Sequence, residues 1–164
     1  MTRVTPTDLL ALPITAQAEI PESYLDQMGH VNVMWYTHLF SRAVWGLFNL
    51  IGFTEEYMKA NGAGSFALEL HVRYLREIHA GRHVTLRTRA LARSAKRIHY
   101  MHFISIDEQD GALSAIGEIV SAHVDLNIRR QSPFPESIAA KFDALLEAHQ
   151  ALSWEAPVCG TMGA

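Results

Sequence analysis

Several sequence features are scarce or missing in this chain of 164 residues, and each absence narrows what the protein can be. The single cysteine, Cys159, excludes an intramolecular disulfide and favours a reducing compartment. No stretch approaches the roughly 18 apolar residues that a membrane-spanning helix needs. The N-terminus has no apolar segment after a basic start, so we expect no signal peptide. Together these absences predict a cytoplasmic protein with no membrane partner.

Positive charge and cofactor-binding motifs are scarce as well. The 14 basic residues are outnumbered by 17 acidic ones, giving a net charge of −3, so no basic surface is expected for nucleic acid. The chain has neither a glycine-rich phosphate loop nor a Gly-x-Ser-x-Gly nucleophile motif. Its nine histidines are scattered, and His99 and His102 would face opposite sides of a strand. We therefore expect no nucleic-acid partner, no metal site and no cofactor.

Hydrophobic periodicity predicts the secondary structure. Apolar residues three or four positions apart predict a long helix over Val33–Ile51, which is apolar on nearly all sides and is stopped by Gly52. Shorter helices are predicted over Thr54–Ala60 and over Pro135–Gln150, the latter with Pro135 as its first residue. Five strands are predicted, the last four from a period of two, and they cover Ala16–Tyr24, Phe66–Glu77, His83–Ala92, Arg97–Asp107 and Ala112–Asn127.

This order of elements predicts an α+β fold. One long helix precedes an antiparallel sheet that must cover it, because a helix that is apolar on all sides cannot stay exposed. The length and the hydrophobic content of 49% suit a single domain over residues 1–164. Its core is expected over about residues 16–150, after an N-terminal arm or short helix and before an irregular tail from Ala151 to Ala164.

The stretch before the long helix contains the groups that a reaction would need. Asp26 and His30 flank Gly29, which can take backbone angles closed to other residues. Asn32 is a suitable N-cap, because its side-chain oxygen can accept from amides of the first turn. Unpaired amides at a helix start stabilise a developing oxyanion, and Asp26 can act as general base or nucleophile in acyl transfer. The alternative is a capped turn whose polar side chains only satisfy backbone groups.

Two segments resemble known proteins. The string from Asp26 to Asn32, followed by Tyr36, resembles the signature of hot-dog-fold acyl-CoA thioesterases of the 4-hydroxybenzoyl-CoA thioesterase family. The similarity extends from roughly Glu19 to about His149, and the run Gly64–Leu75 resembles the betainyl-CoA thioesterase branch. The resemblance implies a long helix wrapped by a five-stranded antiparallel sheet. It also implies cofactor-independent hydrolysis of a small or medium acyl-CoA, and edge-to-edge pairing into a homodimer or a tetramer of dimers.

The resemblance also implies roles for the residues of the motif. Asp26 matches the carboxylate that acts on the thioester, and the backbone N–H of Val33 matches the group that polarises the thioester carbonyl. His30 repeats the Asp-x-x-x-His spacing of plant acyl-ACP thioesterases, which carry Asn where this chain has Met28. It would act in catalysis or orient the loop. The positions of the motif expected to line the substrate are Gly29 and Asn32, the latter mainly as a cap.

Residues outside the motif are also predicted to meet the substrate. Glu69 shares a strand face with His71 and Arg73, and would be a second carboxylate or a cation-binding group across the dimer interface, with His71 beside it. The alternative is a solvated polar strand face. Trp35 and Tyr36 are expected in the core or at an interface, and either ring would hold a quaternary ammonium through cation–π contact if the acyl group is betainyl-like. The basic residues that could bind the CoA phosphates are Arg93, Lys96 and Arg97, and the alternative is a basic turn that is only solvated.

Two other functions remain open at this point. A non-catalytic acyl-CoA-binding hot-dog module would need neither Asp26 nor a capped helix start, and a hot-dog enoyl-CoA hydratase would also use an acid–histidine pair. Within the thioesterase interpretation, Asp26 can activate water as a base or attack the thioester itself through an anhydride.

Overall fold

The computed structural model describes residues 4–164, so the first three residues of the expected N-terminal arm lie outside the described chain. Its helices are α1 (Pro6–Leu9), α2 (Val33–Ile51), α3 (Glu55–Asn61) and α4 (Glu136–Gln150). Its strands are β1 (Ile14–Glu19), β2 (Ala63–Tyr74), β3 (His83–Arg93), β4 (Arg97–Ile106), β5 (Ala112–Asp125) and β6 (Arg130–Gln131). The longest helix has the predicted bounds.

The strands form one antiparallel sheet in the order β1-β3-β4-β5-β2, with the two-residue β6 paired to β5. The successive strands β3, β4 and β5 are neighbours, because short links between antiparallel strands favour a meander. Strands β1 and β2 are the edges of the main path. Helix α2 packs on one face of this curled sheet, which confirms the predicted α+β hot-dog fold.

Caps and an apolar face determine where α2 lies. The side-chain oxygen of Asn32 accepts from the amide of Met34 at the N-terminus, and Gly52 ends the helix with a left-handed φ of +80°. The buried residues of α2 recur at helical spacing and pack against the inner face of the sheet, and they include Tyr36, Leu39, Phe40, Ala43, Leu47, Phe48 and Ile51.

Several predicted bounds differ from the structure; strand β2, for example, covers Ala63–Tyr74 and not Phe66–Glu77. Strand β1 ends at Glu19 instead of reaching Tyr24, because Pro21 has no amide for the ladder and Glu22–Tyr24 form a 3-10 turn. Pro135 is the N-cap of α4 and not its first residue, since its ψ of 148° is extended. Strand β6 was not predicted, because two residues are too short for a visible period.

The outer face of the sheet, opposite α2, is covered by the two chain ends. Leu9 and Leu12 pack there against Met101, Phe103 and Ile116, with Leu152 and Trp154 of the tail beside them. The guanidinium of Arg89 lies 4.1 Å from the ring centre of Trp154 and donates to its carbonyl. The tail is irregular, as predicted, but it is fastened to the sheet.

One side of the molecule remains apolar and uncovered. On α2, Val33, Met34 and Trp45 are exposed, so the expected covering of the helix on all sides does not occur within one chain. The neighbouring edge strand β2 exposes Phe66, Leu68 and Leu70. No helix in the described part of the chain combines the length and the apolar character that crossing a membrane requires.

We expect Gly46→Ala to destabilise the fold by about 1–3 kcal/mol, the usual cost of overpacking. The added methyl group would lie 1.9 Å from the carbonyl oxygen of Thr15, which is backbone of β1 and cannot rotate away. Urea denaturation measures the change. Gly163→Ala is the control, because nothing lies within 4 Å of the position its methyl group would take. Since alanine normally favours a helix over glycine, an unchanged or higher stability of Gly46→Ala would contradict this close packing.

Candidate active site

The loop before α2 is a tight turn closed by backbone hydrogen bonds. The amide of Asp26 donates to the carbonyl of His30 at 3.0 Å, and the amide of Gly29 donates to the carbonyl of Asp26 at 3.1 Å. Gly29 has a φ of +82°, a left-handed conformation that residues with a side chain rarely adopt. The turn therefore holds the side chains of Asp26 and His30 on the same short segment.

The Asp26 carboxylate is partly fixed and partly open to solvent. Its Oδ1 accepts from the amide of Met28 at 2.8 Å, and its Oδ2 lies 3.5 Å from Nδ1 of His30. The exposed fractions of the two side chains are 24% for Asp26 and 33% for His30. The carboxylate lies in an open cleft that is lined by Leu25, Asp26, Gln27, Met28 and Asn32.

The start of α2 presents a free backbone donor beside this cleft. The side-chain oxygen of Asn32 accepts from the amide of Met34 at 3.0 Å, and its carbonyl accepts from the amide of Trp35 at 2.9 Å. The amide of Val33 makes no hydrogen bond to any residue in the described range 4–164. It also lies at the positive end of a helix of 19 residues. An oxyanion is therefore the natural partner of the Val33 N–H.

The loop is fastened to the rest of the fold on both sides. The amide of Val31 donates to the carbonyl of Ile78, which follows β2, and the amide of Asn32 donates to the carbonyl of Tyr24. His79 Nδ1 lies 2.9 Å from the carbonyl oxygen of Gly29. These contacts hold the carboxylate and the helix start in a fixed relation.

The predicted aromatic residues lie in different environments. The ring of Trp35 stacks on Tyr24 with centres 3.8 Å apart, and its edge meets His38 at 5.4 Å. Tyr36 is only 4% exposed and packs edge-on against Tyr74 in the core, where burial raises the pKa of its hydroxyl. The structure therefore leaves Trp35 partly accessible and buries Tyr36, and contact of either ring with a ligand stays a prediction.

Glu69 and His71 are not brought to Asp26 within the chain. They lie with Arg73 on the outer face of β2, as predicted, after a bulge between Ala67 and Glu69. Glu69 is exposed, and five residues separate it from the end of β2 that adjoins the motif loop, a distance of about 17 Å along a strand. A role for Glu69 in the Asp26 site would thus require a second copy of the chain.

The predicted phosphate-binding residues are only partly available. Arg93 donates through Nε and Nη2 to both carboxylate oxygens of Asp143 at 2.5 Å, so its fork is already occupied. Nε of Arg97 donates to the side-chain oxygen of Gln131 at 3.2 Å. Lys96 is exposed on the turn between β3 and β4. Arg93 is therefore already paired within the chain, and phosphate binding by the three cations stays a prediction.

A cavity of about 370 Å³ between α2 and the edge strand β2 was not predicted from the sequence. Its lining includes four aromatic rings and no charged side chain. Those rings belong to Phe40, Trp45, Phe48 and Tyr100. The hydroxyl of Tyr100 bonds to Ser121 at 2.7 Å, and burial raises the pKa of Tyr100. Such a cavity suits an uncharged or quaternary-ammonium group better than a carboxylate.

Comparisons with known proteins agree with this geometry. Residues 21–142 match the model of a family described as the thioesterase-like superfamily. A betainyl-CoA thioesterase of Pseudomonas aeruginosa is 33% identical over 138 residues, which cover 84% of this chain and 86% of that relative.

Solved structures share the fold. A Staphylococcus aureus protein in complex with CoA has a TM-score of 0.82 at 19% identity, with 93% of this chain and 96% of that chain covered. A DHNA-CoA thioesterase from the same species has a TM-score of 0.72 at 22% identity, with 80% and 91% covered. These likenesses confirm the arrangement of helix and sheet.

Proposed function

Since the chain belongs to the thioesterase-like superfamily and is a thioester hydrolase, we propose that it hydrolyses an acyl-CoA to the free acid and CoA at the start of α2. The observation that carries this proposal is the unpaired N–H of Val33 beside the cleft of Asp26. The N–H of Val33 can donate to the carbonyl oxygen of a thioester, and the carboxylate of Asp26 can act as the nucleophile or activate it. A hydratase or a purely binding module has no support from the named relative, which is a thioesterase.

The reaction uses each group for a separate task. The thioester carbonyl oxygen accepts from the Val33 N–H and gathers negative charge as the tetrahedral intermediate forms. Asp26 takes a proton from the attacking water, and that proton then reaches the CoA thiolate as the carbon–sulfur bond breaks. In the alternative, Asp26 itself attacks, the CoA thiolate leaves, and water hydrolyses the resulting anhydride. Both routes consume one water molecule and use the same carboxylate.

The remaining motif residues position these two groups. The imidazole of His30 lies 3.5 Å from Oδ2 of Asp26, where it orients the carboxylate. Gly29 allows the turn that brings His30 back towards Asp26. The side-chain oxygen of Asn32 accepts from the amide of Met34, so the amide of Val33 remains the free donor at the helix start. His30, Gly29 and Asn32 are thus positioning residues.

We propose that the acyl group is betainyl or closely similar. The named relative from Pseudomonas aeruginosa acts on betainyl-CoA, and it is 33% identical to this chain. In a betainyl group one methylene separates the ammonium nitrogen from the carbonyl carbon, so the cation must lie beside the start of α2. The stacked rings of Tyr24 and Trp35 lie in the elements that flank this position. Aromatic faces attract a quaternary ammonium, which cannot donate hydrogen bonds.

We further propose that two copies pair through β2 into a homodimer, which can assemble into a tetramer of dimers. An edge strand leaves a row of amides and carbonyls unpaired, and antiparallel pairing with a second β2 satisfies them. The exposed side chains of Phe66, Leu68 and Leu70 on β2 and of Trp45 on α2 would be covered by the same contact.

Asp26→Asn is expected to lower kcat for the preferred acyl-CoA by about a hundredfold or more, because the amide can neither take a proton nor attack as an anion. Release of the CoA thiol measures turnover, and circular dichroism tests whether the variant is folded. Glu22→Gln removes an exposed carboxylate from the preceding 3-10 turn and should leave kcat unchanged. A folded Asp26→Asn enzyme with near-normal kcat would exclude the proposed role of Asp26.

Val33→Pro tests the backbone donor directly, because proline lacks the amide hydrogen and is well tolerated at the first position of a helix. The preceding Asn32 already has the extended angles, φ −63° and ψ 144°, that a residue before proline prefers. We expect kcat to fall by about 100–1,000-fold, the usual effect of losing one oxyanion donor. Val33→Ala keeps the amide and should retain activity. Equal activity of the two variants would rule out the amide of Val33 as the donor.

The acyl preference can be tested with betainyl-CoA and its neutral isostere 3,3-dimethylbutyryl-CoA, which differ only in nitrogen against carbon. The wild type should prefer betainyl-CoA in kcat/KM. In Trp35→Leu that preference should fall by about 3–30-fold, as expected for one cation–π contact, whatever the effect on folding. Glu69→Gln is the parallel variant: a similar fall would identify Glu69 as the anion contributed by a second copy. A wild-type enzyme without any preference would contradict the betainyl proposal while leaving the hydrolase intact.

Leu68→Asp should convert the dimer to a monomer, because a charge at the paired edge is costly to bury. Static light scattering should give at least twice the chain mass of 18.3 kDa for the wild type and about that single-chain mass for the variant. Leu10→Asp is the control, because it changes another exposed apolar residue in the segment that leads from α1 into β1, at the opposite edge of the sheet. A monomeric wild type at micromolar concentration would refute pairing through β2.

A further inference from the structure

The outer face of the sheet carries a cluster of three side chains that the proposed reaction does not use. His71 lies on β2, Glu118 is its partner on β5, and Cys159 comes from the C-terminal tail that crosses this face. One nitrogen of His71, one carboxylate oxygen of Glu118 and the sulfur of Cys159 all lie within 4.8 Å of one another. The cluster is on the opposite face of the sheet from α2, so it is separate from the Asp26 cleft.

Glu118 is the buried member of the cluster. Its side chain is fully buried, and Oε1 accepts from Nε2 of His99 at 2.9 Å while Oε2 accepts from the amide of Cys159 at 2.7 Å. These donors fix the carboxylate: His99 forms an ion pair with Oε1 whenever its imidazole is protonated, and the amide of Cys159 carries no charge. Buried carboxylates in proteins are paired with a charge or coordinate a metal ion. His71 and Cys159 are half-buried and face the same carboxylate from the side of the solvent.

The tail that brings Cys159 to this position is held by several contacts. Arg73, two residues after His71 on the same face, donates to the carbonyl of Pro157. Arg89 donates to the carbonyls of His149 and Trp154, at the end of α4 and in the tail. The tail is therefore anchored at Trp154 and Pro157 before it reaches Cys159, whose own amide bonds to Glu118, so the fold places its sulfur.

We propose that His71, Glu118 and Cys159 form a Zn²⁺ site, with water as the fourth ligand. An imidazole nitrogen, a carboxylate oxygen and a thiolate sulfur are the donor types that zinc takes, and the soft thiolate disfavours magnesium and calcium. Zinc–ligand bonds of about 2.0–2.3 Å place tetrahedral ligands roughly 3.3–3.8 Å apart, so the three atoms need to close by about an ångström. The thiol proton is released to solvent when the sulfur binds.

His99 completes the site from the second layer. Its hydrogen bond to Oε1 orients the Glu118 carboxylate, which is the usual function of partners behind metal ligands. The ion joins a residue of β2, a residue of β5 and the tail, so its effect is to clamp the C-terminal tail to the outer face of the sheet. The Asp26 chemistry on the other side does not require it.

Titration of the full-length protein with Zn²⁺ and with Co²⁺ tests the proposal, after treatment with a chelator to remove bound metal. We expect one ion per chain and, with Co²⁺, a near-ultraviolet sulfur-to-metal charge-transfer band. That band should vanish in Cys159→Ser. Zinc affinity, measured by competition with a chromogenic chelator, should fall by about a hundredfold or more in His71→Ala, because even the loss of a second-layer partner costs about 10–100-fold.

Matched variants separate the site from accidental binding. His83→Ala removes an exposed histidine elsewhere on the surface and should leave zinc affinity unchanged. Both His71 and Cys159 are half-buried, so their variants should fold even if Glu118→Gln does not. Absence of stoichiometric binding at micromolar Zn²⁺, or Co²⁺ binding without a charge-transfer band, would overturn the proposal. Unchanged zinc affinity in His71→Ala would do the same.

Discussion

Helix α2 approaches the sheet at two glycines that leave no room for a side chain. A methyl group on Gly46 would lie 1.9 Å from the Thr15 carbonyl oxygen, and one on Gly117 of β5 would lie 2.9 Å from the ring of Phe40. Phe40 in turn stacks on His102, whose pKa burial lowers to about 3, so the imidazole is uncharged in this core. Helix and sheet therefore meet as closely as backbones allow, and apolar burial over the length of α2 fixes the helix in one position.

The position of the helix determines that of the reacting groups. Asn32 begins α2, and its cap leaves the amide of Val33 free at the end that carries the positive dipole. The loop before α2 is held by a hydrogen bond from the amide of Val31 to the carbonyl of Ile78, which follows β2. This bond fixes the position of Asp26 relative to the amide of Val33. A shift of about an ångström between a catalytic group and its substrate costs on the order of a hundredfold in rate. The close packing at Gly46 and Gly117 thus fixes the position of α2, and with it the position of the Val33 amide in the site.

Local signals explain what the sequence could predict. The bounds of α2 were predicted correctly because its apolar residues recur at helical spacing and Asn32 and Gly52 cap its two ends. The turn at Gly29 could be predicted because it involves only residues adjacent in the chain. The aromatic cavity was missed because its lining comes from α2, β2, β4 and β5, which only the fold brings together. The cluster of His71, Glu118 and Cys159 was not predicted for the same reason, because no sequence spacing links residues that are so far apart in the chain. The pairing of Arg93 with Asp143 likewise depends on how α4 crosses β3.

The uncovered side of the molecule bears on the chemistry. Asp26 is 24% exposed in an open cleft, and in contact with bulk water a single amide donor stabilises an oxyanion only weakly. The same side exposes Val33 and Met34 at the start of α2 and the apolar edge of β2. In the proposed dimer a second copy would cover this side, lower the local dielectric and strengthen the hydrogen bond from Val33. Assembly and catalysis would then depend on one surface, and a monomeric variant would lose kcat even with Asp26 and Val33 intact.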